Sequence, residues 1–191
     1  MLVQLSGVPG SGKSTLARGL AAGHGLVVLD TDVVKSALLE RDLSVADAGP
    51  AAYGVVLALA ADLLAQGHGV VVDSPCRYPA LLAAGQQVAE EAGVGYRFVE
   101  LWADDPATLL PRLDGRRPRP SQVASSTDAA PGTAWEHGTA VATLRAWQDE
   151  LVRPEAGYVR LDAALPPDEL LRAASNHLAS GRAPGSARAR D

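Results

Sequence analysis

Short apolar runs alternate with longer stretches of helical periodicity along the chain. The first run, 2–5, stops at the glycine-rich segment 7–12, and 14–22 then reads as a helix stopping near Gly23. A second buried strand at 26–29 ends at Asp30 and Asp32, with helical sequence from Val33 to about Arg41. Residues 43–49 read as a loop, and 50–66 as an Ala/Leu-rich helix with Pro50 at its start and Gly67 just past its end. Val70 to Val72 forms a third strand closed by Asp73. Further on the pattern predicts a helix over 79–92, a strand over 96–102, and a helix over 105–113 that Pro111 kinks or shortens.

From 114 to about 133 the composition turns to Arg, Pro, Ser and Gly, the length and character of a lid or functional loop. Helix resumes over 134–151, a last strand falls at 158–161, and a last helix at 167–179 starts with proline and acids at its positive end. Residues 181–191 read as a frayed tail behind one domain at 1–180. Apolar strands alternating with helices imply an α/β fold with a parallel sheet covered on both faces, because parallel neighbours need long crossovers. Ligands of such sheets collect at the carboxyl ends of the strands.

Composition narrows the function classes. A chain of 191 residues with 47% hydrophobic and 20% charged residues has the balance of a folded globular domain. Its net charge of -5 makes nucleic acid an unlikely main partner, since duplex binding rests on Lys and Arg neutralising phosphates. The lone cysteine, Cys76, forms no internal disulfide and fits a reducing cytoplasm. The sequence carries no signal-peptide pattern, and no run of about 18 apolar residues is read in it, so neither export nor a membrane span is expected.

The strongest chemical signal is Gly7-Val8-Pro9-Gly10-Ser11-Gly12-Lys13-Ser14-Thr15, a complete P-loop placed after an apolar strand and opening a helix. Glycines let successive main-chain N–H groups point inward, and the helix amino terminus adds partial positive charge toward bound phosphates. Lys13 reaches the outer phosphates, and the Ser14 hydroxyl suits magnesium, a hard ion that prefers oxygen ligands. Phosphoryl transfer to an alcohol also needs a proton acceptor and cations around the moving group. Asp32 and Asp73, each just past a strand, are the acid candidates. Asp32 is the expected base, Asp30 can share that role or contact substrate, and Asp73 can instead support magnesium in the manner of a Walker-B acid or contact substrate.

Arg112, Arg116, Arg117 and Arg119 cluster, and the four-residue step from Arg112 to Arg116 puts those two on one helical face, where both can address one phosphate. Lys35 and Arg77, each a few residues past an acid, can bind a substrate anion. His24, His68, His137 and His177 are scattered without metal-ligand spacing. Cys76 either lines the pocket or simply packs. Trp135 and Trp147 read as packing residues, with Trp135 beside the lid.

These residues resemble the small P-loop kinases, the AAA_33 and zeta-toxin-like group that includes phage-type polynucleotide kinase, gluconate kinase and chloramphenicol phosphotransferase. The resemblance spans about 2–120 through the P-loop, Leu29-Asp30-Thr31-Asp32 with Lys35 beyond it, Val70-Val71-Val72-Asp73-Ser74, and the arginines of 112–119. It implies a five-stranded parallel sheet in the order 2-3-1-4-5, ATP and Mg2+ as cofactors, Asp32 as general base, lid arginines embracing the phosphates, and a small-molecule hydroxyl as acceptor. Lys35 stands where polynucleotide kinases often carry Arg, a swap that loses bidentate phosphate recognition. A 5′-hydroxyl nucleic-acid kinase and a nucleotide-dependent switch are the competing readings.

Overall fold

The computed structural model describes residues 1–127 and 139–180. In chain order these form β1 (Leu2–Gly7), α1 (Lys13–His24), β2 (Leu26–Asp30), α2 (Thr31–Leu39), α3 (Val45–Ala65), β3 (Gly69–Asp73), α4 (Pro79–Glu91) and β4 (Tyr96–Trp102). A 3₁₀ turn at Pro106–Leu109, α5 (Leu110–Asp114), α6 (Ala140–Asp149), β5 (Tyr158–Asp162) and α7 (Pro167–Ser180) complete them. The five strands are parallel and ordered β2-β3-β1-β4-β5, the expected topology.

Side chains alternate across the sheet with the two-residue period of a strand, so β1 to β4 each feed two cores and β5 feeds one of them. Val3, Leu5, Val71, Val99 and Leu101 pack with Leu16, Ala17 and Leu20 of α1 and with Leu170, Ala174 and Leu178 of α7. On the other face Leu2, Val70 and Val72 meet Val56, Ala60 and Leu64 of α3 and Ala89 of α4. Several polar groups inside are paired. Tyr96 donates to the Gln4 amide oxygen at 2.8 Å, and the Gln4 amide nitrogen donates to Cys76 Sγ at 3.4 Å. The fully buried Glu100 carboxylate on β4 is met by Arg160 at 2.6 Å and Arg153 at 3.3 Å, with Arg160 stacked over Trp102.

Several boundaries differ from the sequence reading for identifiable reasons. Helix α1 runs past Gly23 to His24 and stops at Gly25, whose positive φ of 65° turns the chain and sends its N–H back to the Ala21 carbonyl. Helix α3 begins at Val45, so most of the expected loop at 43–49 is helical. Ser44 caps it, accepting from the Asp47 N–H at 3.2 Å and donating to the Asp47 carboxylate at 2.5 Å. Pro50 therefore sits inside the helix. It leaves the Ala46 carbonyl without its usual partner, and Gly49 before it limits the crowding.

At 21 residues and a mean hydropathy of 1.6, α3 is long and apolar enough to cross a membrane by length and composition, a run the sequence reading had not singled out. Here it packs against α2, α4 and β3. The helix expected over 105–113 splits into a 3₁₀ turn and α5, with Pro111 in the first turn of the latter, where its missing N–H costs little. Helix α6 starts at Ala140 under a Thr139 cap. The earlier start expected at Ala134, with Trp135, His137 and the far end of the lid, lies outside the described residues, as does the tail from 181.

Candidate active site

Parallel pairing fixes where the chemistry gathers. β1 leads into the P-loop, and the register of β2 with β3 sets Asp30 opposite Asp73 at the carboxyl edge of the sheet. The loop that follows β1 needs glycine at two tight points. Gly7 has φ 147°, and a Cβ there would lie 2.8 Å from the Leu101 carbonyl oxygen; Gly10 has φ 82° and packs on the Leu109 carbonyl. Helix α1 opens at Lys13, so its free N–H groups and positive dipole end face the loop.

The Lys13 ammonium donates to the carbonyls of Gly7 at 2.6 Å and Val8 at 3.1 Å. Burial lowers its pKa, opposed by the charges of Asp73 and Asp32. Asp73 is almost completely buried, and burial raises its pKa against the pull of Lys13 and of the Ser14 hydroxyl. Its Oδ2 has no hydrogen-bond partner among the described residues. A buried carboxylate oxygen beside a lysine and a serine hydroxyl, with no partner of its own, is a suitable outer ligand for a hard cation, so the residues fit magnesium. Among the described residues no group of three His, Cys, Asp or Glu side chains could hold a metal on its own. Phosphate oxygens and water would have to complete such a site.

The other acids take different positions. Asp30 caps α2, accepting from the Asp32 N–H at 2.9 Å and the Val33 N–H at 3.4 Å, so part of its accepting capacity is used structurally. Asp32, in the first turn of α2, is half-buried and lines the cleft. Its Oδ2 accepts from the Gln122 amide at 2.7 Å, and its carbonyl accepts from the Ser121 hydroxyl at 3.1 Å. Ser121 also exchanges a 2.8 Å hydrogen bond with Ser36. These contacts join the arginine-rich segment to α2 across about 90 residues of sequence, and no local signal in the sequence announces them.

The shared helical face for Arg112 and Arg116 does not exist. Helix α5 ends at Asp114 with Gly115 as its cap, so Arg116 lies beyond it. Arg112 donates to the Ala163 carbonyl at 2.5 Å and Arg116 to the Val123 carbonyl at 2.8 Å, on different segments. Both still line the cleft, together with Arg117, Arg119 and Lys35. Arg77 also lines it, but is ion-paired with Glu150 and stacked 5.3 Å over Trp147. Cys76 lies behind the site rather than in it. Its side chain is fully buried, and burial pushes the thiol up to about 12.

One continuous cleft of about 1200 Å³ connects all of these groups. It runs from the P-loop past Asp32 and Asp73 to a wall formed by α3 and α4.

A parallel sheet with a P-loop on its central strand, and acids gathered at its carboxyl edge, defines a kinase-like P-loop domain. The chain belongs to the AAA domain family AAA_33, which matches residues 2–143. It is 32% identical over 145 residues to a shikimate kinase of Salinispora tropica, covering 67% of this chain and 87% of that protein. It is also 31% identical over 162 residues to the uncharacterized protein Rv2004c of Mycobacterium tuberculosis, covering 74% of this chain. The matched region spans only 31% of that relative's length. Among solved structures, the Mycobacterium tuberculosis APS kinase CysC in complex with AMPPNP and APS shares the fold at a TM-score of 0.65 and 22% identity, over 93% of this chain and 96% of that one.

Proposed function

We propose that this chain transfers the γ-phosphoryl group of ATP to a hydroxyl of a small molecule. The observation that carries the reading is the convergence of Lys13, Asp32 and Asp73 on one cleft at the mouth of a complete P-loop. Main-chain N–H groups of 7–15 and the start of α1 hold the triphosphate, and Lys13 exchanges its two neutral carbonyls for anionic oxygens, which are stronger acceptors. Ser14 would hold magnesium directly and Asp73 would support it, supplying charge neutralisation on the transferred group.

Of the three acids, Asp32 is best suited to be the base. All three line the cleft, but Asp30 caps α2 through two backbone N–H groups and Asp73 is almost completely buried near Lys13, whereas Asp32 is half-buried and is held by a single amide, that of Gln122. Its carboxylate takes the proton as the acceptor oxygen forms a bond to the γ-phosphorus and the bond to the β-phosphate bridging oxygen breaks, releasing ADP. Arg112 and Arg116 supply donors to the phosphates in the same way that Lys13 does.

The likeness to a shikimate kinase supports an alcohol acceptor in general. The test is incubation with labelled ATP, magnesium and pooled alcohols, with label followed into products by mass spectrometry. Transfer that Lys13→Ala and Asp32→Asn both abolish supports the reading; label appearing only in inorganic phosphate refutes it in favour of a nucleotide-dependent switch. Label entering only 5′-hydroxyl oligonucleotides moves the assignment to a polynucleotide kinase.

A further inference from the structure

The acceptor end of the cleft has a chemical character of its own. Helix α3 has a mean hydropathy of 1.6 over its most apolar stretch, yet only 28% of that stretch is buried. Its stripe Ala48, Ala52, Val56, Ala60 and Leu64 goes into the core. An adjacent side, with Pro50, Tyr53 and Leu57, lines the cleft instead, opposite Leu81 and Ala84 of α4. Val45 and Tyr78 flank this wall and are 38% and 56% exposed, unusually open for large apolar side chains.

The helices α3 and α4 themselves bring few polar groups to the cleft, which Lys35, Ser74, Arg77 and the Tyr78 phenol also line. The only polar side chains of α3 are Asp47, Tyr53 and Asp62. Asp47 is bonded to Ser44 and Asp62 to Gln66. The first two turns of α4, Pro79 to Gly85, contribute no polar side chain. Arg77 is held by Glu150, with its guanidinium carbon 5.3 Å from the centre of the Trp147 ring. The Tyr53 phenol, pushed up to about 12 first by burial and next by the charge of Asp32, stays neutral and able to donate within the cleft that Asp32 also lines.

A polyol leaving water would bring one hydroxyl per carbon to a surface that can pair very few of them, and each unpaired group weakens binding. An apolar or aryl body gains from the same surface in proportion to the area it covers. We infer that the acceptor is an alcohol carrying its hydroxyl on an apolar, ring-sized body, seated between α3 and α4 with the hydroxyl at Asp32 and Tyr53. This inference rests on the kinase reading given above.

The test uses the full chain with labelled ATP and magnesium against two sets of acceptors. One set is 2-phenylethanol, 1-phenyl-1,3-propanediol and 2-naphthalenemethanol; the other is glycerol, glucose, gluconate and shikimate. The inference predicts kcat/KM at least tenfold higher for the aryl set. It also predicts that Leu57→Asn raises KM for aryl alcohols at least tenfold without changing KM for ATP. Leu81→Asn, on the opposite helix, provides the same test should the first variant not fold.

Equal or better transfer to the polyols overturns the inference and leaves the kinase reading standing. Binding of ATP that depends on Lys13, with no transfer to any member of either set, also overturns the inference. Failure to bind ATP at all removes both readings, so the two failures are distinguishable.

Discussion

Replacing Asp32 by Asn separates chemistry from binding. The substitution keeps size and shape, and the Asn amide oxygen can still accept from Gln122 in place of the carboxylate Oδ2 now 2.7 Å away. What is lost is a negative charge and a proton acceptor. A hydrogen bond to a charged group contributes about 1.5–3 kcal/mol and a neutral one about 0.5–1.5. The contact to Gln122 should therefore weaken by about 1 kcal/mol, lowering Tm by about 2–4 °C for a domain of this size. Loss of a general base costs about 10²- to 10⁴-fold in rate, or about 3–5 kcal/mol in the barrier. The variant is thus predicted to bind ATP within about threefold of wild type by calorimetry while losing at least about a hundredfold in turnover, followed by coupled ADP release with the acceptor found in the mass-spectrometric screen. Turnover within tenfold of wild type, in a variant that binds ATP normally, would refute Asp32 as the base.

Other positions make equally definite predictions. Gly7→Ala places a Cβ 2.8 Å from the Leu101 carbonyl oxygen at φ 147°, and urea denaturation should register a loss of about 1–3 kcal/mol. Asp73 has a native pKa raised above its ordinary 3.8 mainly by burial, so the native state binds more protons than the unfolded chain between 3.8 and that raised value, and this group makes stability fall as pH rises through the window. Asp73→Asn should flatten that slope in Tm measured against pH, while turnover with magnesium falls. Cys76, with its thiol raised from 9.0 to about 12 and fully buried, should resist a thiol-disulfide reagent at pH 8 in the native protein and react fully in denaturant. The same shift makes stability decline as pH rises from about 9 toward about 12, by up to about 1.4 kcal/mol per pH unit.

The alternation of strands and helices was readable because each strand is a short apolar run ending in a residue with a task; the order of the strands in the sheet followed only from the resemblance to the small P-loop kinases. Features that depend on local chemistry were legible to within a few residues, such as the strand Tyr96–Trp102 and the helix starting at Pro167. The start of α3 was missed because proline was read as a helix opener, while the pairing of Ser44 with Asp47 carries the helix five residues further back. At the site, the P-loop and the three acids were visible as positions. How those acids divide into a helix cap, a buried carboxylate near Lys13 and a half-buried carboxylate held by Gln122 depends on packing that no spacing encodes. The contact between Gln122 and Asp32, and the apolar wall of α3 and α4, arise only when distant segments meet. A four-residue step between arginines carried no information once Gly115 ended the helix between them.

The most direct measurement of the central claim is calorimetric titration of MgATP into the wild-type chain and into Lys13→Ala. The account predicts a single saturable site in the wild type, weakened at least about tenfold in the variant by loss of charge-assisted hydrogen bonds to the outer phosphates. No binding at saturating nucleotide, or equal affinity in the two proteins, would contradict it.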